Sequence, residues 1–161
     1  MHTLPVARAA DLERFAYEKI DMGISFRITL YAPHEAKAKS AIDAAFERIS
    51  VLNSILSDYD PDSELSRLSM TSGSGRAVPV STDLWVVLER AQALAAQTDG
   101  AFDVTVGPMI NLWRRSRRKN ELPEPALLAE MKARSGWRHL ILDPKERTAT
   151  LTKTDMRIDL G

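Results

Sequence analysis

Ile24-Ser25-Phe26-Arg27-Ile28-Thr29-Leu30-Tyr31, followed past Pro33 by the run from His34 to Leu56, sets two different periods side by side. In the first stretch apolar and polar side chains alternate, the pattern of a strand with one face covered. Pro33 cannot donate to a ladder and ends it. In the second stretch Ala38, Ala41, Ile42, Ala45, Phe46, Ile49, Leu52 and Ile55 return at steps of three and four, which predicts a long amphipathic helix. Strand and helix alternate afterwards without a regular βαβ rhythm, so the expected class is α+β.

Past that helix, Ser57 to Ser63 breaks the pattern, and Glu64 to Leu68 reads as a short helical turn capped by Ser63 or Asp62. Met70 to Pro79 reads as a loop rich in Ser and Gly. Ser81 opens a second helix with the stripe Leu84, Val87, Leu88, Ala91, Leu94, Ala95, and Asp99-Gly100 stops it, Gly100 being suited to a left-handed C-cap. Phe102, Val104 and Val106 alternate as a short strand broken by Gly107-Pro108. Met109 to Trp113 is helical and leads into a basic cluster, and Pro125 opens a third helix to Arg134. Trp137 to Leu142, Thr148 to Thr152 and Met156 to Leu160 are β-like runs. The expectation is a mixed or antiparallel sheet packed with two to three amphipathic helices. Residues 1–16 are expected to be an N-terminal extension and 17–161 the domain proper. A strand-like run meeting Gly161 reads as heading into a turn, so the domain is expected to be incomplete.

Composition narrows the function. With 161 residues, 44% hydrophobic and 27% charged, the chain suits one folded domain and not a disordered tail. Lys plus Arg equals Asp plus Glu at 22 each, so no net field steers it toward nucleic acid. Absence of Cys excludes disulfides, thiolate nucleophiles and Cys-held metal centres in this sequence. No run approaches the roughly 18 apolar residues of a membrane span. Residues 1–12 hold no apolar core of a secretory signal, and the compartment stays unassigned.

Several chemistries fail on spacing. His2, His34 and His139 do not sit at metal-ligand intervals, and no P-loop is present. Asp58, Asp60 and Asp62 alternate as in a calcium loop, but Ser63 stands where Gly is required and Ser69 where the bidentate Glu belongs. This stretch reads as a solvated acidic loop. Tyr59 inside it is either a surface ring folded onto the nearest helix or a stacking platform for a planar ligand. Arg114, Arg115, Arg117, Arg118 and Lys119 read as a solvated helix end before they read as a phosphate or nucleic-acid patch. Thr98-Asp99-Gly100-Ala101-Phe102-Asp103 is the densest signal. A C-cap entering a strand, with Phe102 in the core, accounts for Gly100 and Phe102. It leaves Asp103, flanked by apolar residues, in need of partners, which a ligand hydroxyl, a ring N–H or a cation could supply.

Taken in order, Met22-Gly23, Leu56 to Leu65, Asp99 to Pro108, Leu112-Trp113 and Ile158-Asp159-Leu160-Gly161 resemble the FAD:protein FMN transferases, the ApbE-type flavin transferases, over roughly residues 17–161. The resemblance implies FAD as substrate, Mg²⁺, and transfer of FMN to a Thr or Ser hydroxyl of an acceptor flavoprotein with release of AMP. Some members of that family hydrolyse FAD instead. By position it implies FAD contacts at Met22, Tyr59, Ala101, Phe102, Asp103 and Asp159. It assigns no catalytic residue here. The family's usual Thr after Met-Gly is Ile24 in this chain, and its Ala-Lys-Gly and its metal-holding Asp and Thr come after the point matched by Gly161. Family members are often secreted or lipid-anchored. A non-catalytic flavin- or nucleotide-binding module is the alternative from another class.

Overall fold

A computed structural model describes residues 12–161. Residues 1–11 of the expected extension, with His2, lie outside the described residues. The chain divides into two compact units, one through Asn53 and one from Ser54 to Gly161.

The first unit is a hairpin followed by the long helix. Strands β1 (Glu13–Asp21) and β2 (Ile24–Ala32) pair antiparallel, with Glu13 opposite Ala32 and Asp21 opposite Ile24. Only Met22 and Gly23 join them, with φ of 50° and 73°. Two left-handed residues in a two-residue loop match the right-handed twist of a hairpin. Phe15, Tyr17, Phe26, Ile28 and Leu30 are half-buried while their neighbours are exposed, so the ribbon has one covered face. β1 crosses the boundary expected between residues 16 and 17. Helix α1 (Glu35–Leu56) buries Ala38, Ile42 and Phe46 at four-residue steps. The Lys19 ammonium lies 5.7 Å from the Phe46 ring centre, and Ser50 Oγ donates to Asp21 Oδ2 at 2.8 Å.

The second unit holds α2 (Glu64–Ser69), β3 (Val78–Pro79), α3 (Thr82–Gln97), α4 (Gly107–Lys119), α5 (Pro125–Ala133), β4 (Leu140–Asp143) and β5 (Thr148–Leu151). The three strands form an antiparallel sheet in the order β3-β5-β4. Its core joins Leu65 and Leu68 of α2, Leu84 and Leu88 of α3, and Leu140, Ala149 and Leu151 of the sheet, with Met156 and Ile158 following. Ile55 and Leu56 pack against it. The caps explain where helices start: Ser63 Oγ accepts from Ser66 N at 3.0 Å, and Ser81 Oγ from Leu84 N at 3.2 Å. At the end of α3, Asp99 and Gly100 are left-handed, and Gly100 N donates to Ala95 O at 2.8 Å.

The class is α+β with antiparallel sheets, as the sequence predicts. Five α-helices stand among the described residues: the three amphipathic helices expected, and α2 and α4, which extend the short helical pieces read at Glu64–Leu68 and Met109–Trp113, α4 running on through the basic cluster to Lys119. Phe102 to Val106 is not a strand. Gly107 and Pro108 begin α4 rather than break a ladder, and Asp103 captures the amide of Thr105. Phe102 is 40% exposed and not in the core. Met156 to Leu160 is likewise not a strand but a single parallel bridge, Arg157 to Val106. Val78-Pro79 pairs with β5 inside what reads as a loop. Trp137 to His139 is a 3-10 turn before β4.

Candidate functional site

The second unit concentrates polar burial where the loop after α1, the start of α4 and the segment from Arg157 meet. Ser57 organises the loop: its Oγ accepts from Tyr59 N and Asp60 N, both at 3.2 Å, and its carbonyl accepts from Ser63 Oγ at 2.6 Å. This geometry turns Asp58 inward, where it is 5% exposed, and leaves the Tyr59 ring outward at 73%. Arg114, about two turns into α4 and directly after Leu112-Trp113, answers the buried carboxylate. Its Nη1 donates to Asp58 Oδ2 at 2.6 Å and its Nη2 to Asp159 Oδ2 at 3.1 Å. The Asp159 side chain is 8% exposed. The same guanidinium lies 4.5 Å from the centre of the Tyr59 ring, close enough for cation–π attraction. The hydrogen bond to Asp58 is the main cause holding the Arg114 guanidinium above its usual range, with both aspartate charges adding to it. Arg157 donates from its guanidinium to the carbonyl of Asp58.

The Gly100 block is a rigid turn. A Cβ on Gly100 would meet Trp137 Nε1 at 2.9 Å, and its φ is 81°, so two independent constraints call for glycine. Thr98 Oγ1 accepts from Phe102 N at 3.1 Å. Asp103 Oδ1 accepts from the amide and the hydroxyl of Thr105, both at 2.7 Å, and Oδ2 accepts from Trp137 N at 2.9 Å. The partners that the sequence left to a ligand are thus supplied by Thr105 and Trp137. Thr105, fully buried, passes the network on by accepting from Gly136 N at 2.7 Å. Ala101 and Phe102 stand exposed on the outside of this turn.

Backbone contacts bring these blocks together. Asp159 N donates to Val104 O at 2.8 Å, and Gly107 N donates to Arg157 O at 3.1 Å. Ile158 N donates to Ser69 Oγ at 3.2 Å. Tyr59 and Asp159 therefore meet through Arg114, and Asp159 lies beside the residue that follows Asp103. Gly161 N donates to Asp159 Oδ1 at 3.0 Å. Met22 belongs to the first unit, at the tip of its hairpin, left-handed and 45% exposed. A cavity of about 700 Å³ opens between α2, α4 and α5, with Tyr59, Leu112, Arg115, Met131, Met156 and Arg157 in its walls. That volume suits a large organic ligand.

Sequence reasoning missed Asp58, Arg114 and Thr105. Asp58 looked like one of three solvated aspartates and Arg114 like one of five solvated cations. Arg117, Arg118 and Lys119 sit in the last turn, favourable to the helix dipole, but no local pattern separates Arg114 from Arg115. Among the described residues no group of three or more His, Asp or Glu could hold a metal ion. Asp58 is engaged by Arg114, and the resemblance places the Mg²⁺ ligands after the point matched by Gly161.

The sequence profile described as the ApbE family matches residues 22–161. The chain is 39% identical over 104 residues to the FAD:protein FMN transferase of Haemophilus influenzae, covering 63% of this chain and 30% of that protein. It is 29% identical over 148 residues to that of Chlamydia muridarum, covering 89% and 46%. Among solved structures, the flavin transferase ApbE of Vibrio cholerae in its H257G form superposes with a TM-score of 0.82 at 30% identity, over 92% of this chain and 48% of that one. The ApbE protein of Thermotoga maritima gives 0.80 at 23% identity, over 92% and 47%, a likeness of fold. The chain spans under half the length of the curated relatives it matches.

Proposed function

The chain belongs to the ApbE family, and from that premise we propose that the protein carrying it is an FAD:protein FMN transferase. The acceptor is a flavoprotein presenting a Thr or Ser hydroxyl. In the reaction the hydroxyl oxygen forms a new ester bond to the flavin-side phosphorus, the P–O bond to the adenylate breaks, and AMP leaves. Residues 12–161 supply part of the surface that receives FAD.

The observation that carries this reading is Tyr59, an exposed ring pinned on one side by Arg114. Stacking on an aromatic side chain is worth about 1–3 kcal/mol per planar base, and a flavin ring is larger. Asp159, with one oxygen on Arg114 and the other accepting from Gly161 N, keeps acceptor capacity for a ring or ribose donor. Ala101 and Phe102 offer apolar contact from a turn that Asp103 locks from beneath. Met22, in the first unit, enters through the family resemblance, with a polarizable thioether suited to an aromatic ring. The Mg²⁺ implied by the same resemblance finds no ligand set among the described residues, and no step is assigned through it.

The test is mass spectrometry on the complete protein incubated with FAD, Mg²⁺ and an acceptor flavoprotein. Acceptor modified by one FMN on Thr or Ser, with one AMP released per event, is the expected outcome. AMP and free FMN without modified acceptor would instead make the protein an FAD hydrolase of the same family. No AMP at all would overturn both.

A further inference from the structure

We propose that Arg114 is a positioning residue, whose fork ties the buried Asp58 and Asp159 to one cation and holds the Tyr59 ring at a fixed angle beside them. In its ligand arm this rests on the flavin reading above; in its electrostatic arm it does not.

The geometry is specific. One guanidinium commits Nη1 to one carboxylate and Nη2 to another, and both carboxylates are more than nine-tenths buried. Each of those buried charges would be costly alone. Removing the cation leaves two buried like charges at short range, which disfavour one another. The other groups facing the pair are few: the Arg157 guanidinium, on the Asp58 carbonyl, and the Tyr59 phenol, whose ring lies on Arg114 itself. Arg157 touches backbone and not the carboxylate oxygens, so it does not replace the fork.

Lysine cannot substitute in full. An ammonium is a compact point charge and cannot present the guanidinium's fixed fork of donors to two carboxylates while also lying against a ring. Arg114→Lys should therefore keep the pair ionised yet release Tyr59. Arg114→Gln should lose both functions. Arg118, exposed in the last turn of the same helix and outside the cavity walls, makes neither contact, which makes Arg118→Gln the control.

Two measurements on the complete protein decide the matter. The first is ¹³C NMR titration of Asp58 and Asp159 without FAD. In Arg114→Gln one carboxylate should take up its proton at least one pH unit higher than in the parent, about a tenfold change in proton affinity. In Arg114→Lys and Arg118→Gln neither should move by as much as about half that amount. Unmoved midpoints in Arg114→Gln would overturn the proposal whatever the protein binds. The second is FAD affinity by fluorescence titration from mildly acidic to mildly basic pH. The parent should vary less than twofold over that range. Arg114→Gln should bind roughly tenfold more weakly, the equivalent of about 1.4 kcal/mol, with a pH dependence of threefold or more that Asp58→Asn in the same background removes. A uniform loss at every pH would mark Arg114 as merely structural and overturn the positioning role. No FAD binding by the parent would sink the flavin reading and leave the NMR result to judge the fork.

Discussion

Asp159 donates its amide to the carbonyl of Val104 at 2.8 Å, so a residue near the C-terminal end of the chain is fixed to the turn that follows Asp103. The contact is made outside any sheet, supported by one parallel bridge and by the Gly107 amide on Arg157. The approach is close because Gly107 has no side chain: a Cβ there would come within 2.6 Å of the Arg157 carbonyl oxygen.

Gly107→Ala should therefore push the two segments apart. The expected cost is about 1–3 kcal/mol, the usual range for forcing extra volume into packed surroundings. Chemical denaturation would measure it, and a variant as stable as the parent would show that the segment yields freely.

Leu84, fully buried in the core of the second unit, tests the packing itself. Truncation to Ala should cost about 2–5 kcal/mol. Because the cluster around Leu84 belongs wholly to the second unit, the loss should appear in amide-exchange protection there and leave the β1–β2 hairpin unchanged.

Met22 occupies the first left-handed position of the hairpin loop, where Asn is the favoured residue. Met22→Asn should stabilise the hairpin by roughly 0.5–1 kcal/mol, since a bulky residue at positive φ is strained. If Met22 contacts flavin, the same substitution should weaken FAD binding. Thermal melts and FAD titration on one sample separate the two effects. Gain of stability with unchanged affinity would remove Met22 from the site.

The raised Arg114 guanidinium fixes the sign of a pH effect. Its share of stability is fully present below the ordinary guanidinium range and is lost only as pH climbs through the still higher folded value. The difference in melting temperature between the parent and Arg114→Gln should stay constant between about pH 7.5 and 9.5, well below that range. A difference that closes across that window would mean the fork is not the source.

Much of the scaffold is legible in the residues. The long helix is written in the stripe from Ala38 to Ile55, and the caps at Ser63, Ser81 and Gly100 announce where helices start and stop. What periodicity could not supply were contacts that local pattern does not encode. The alternation of Phe102, Val104 and Val106 suggested a strand, yet Asp103 removed the Thr105 amide from any ladder and Pro108 turned the chain into α4. β1 hid because Ile20 falls off the alternation set by Phe15 and Tyr17 and charges surround it. At the site, the resemblance named Tyr59 and Asp159 separately. Arg114, which joins them, lay in a basic run, and only the tertiary fold distinguishes it from its neighbours.

Titration of FAD and Mg²⁺ into the complete protein by calorimetry, beside its Tyr59→Ala variant, addresses the flavin cradle directly. Tyr59 is largely exposed, so its removal should leave the fold intact. Saturable one-to-one binding by the parent is expected, weakened roughly 5- to 150-fold in the variant, the equivalent of about 1–3 kcal/mol of lost stacking. No heat from the parent, or equal affinity in both proteins, would contradict a site built on this ring.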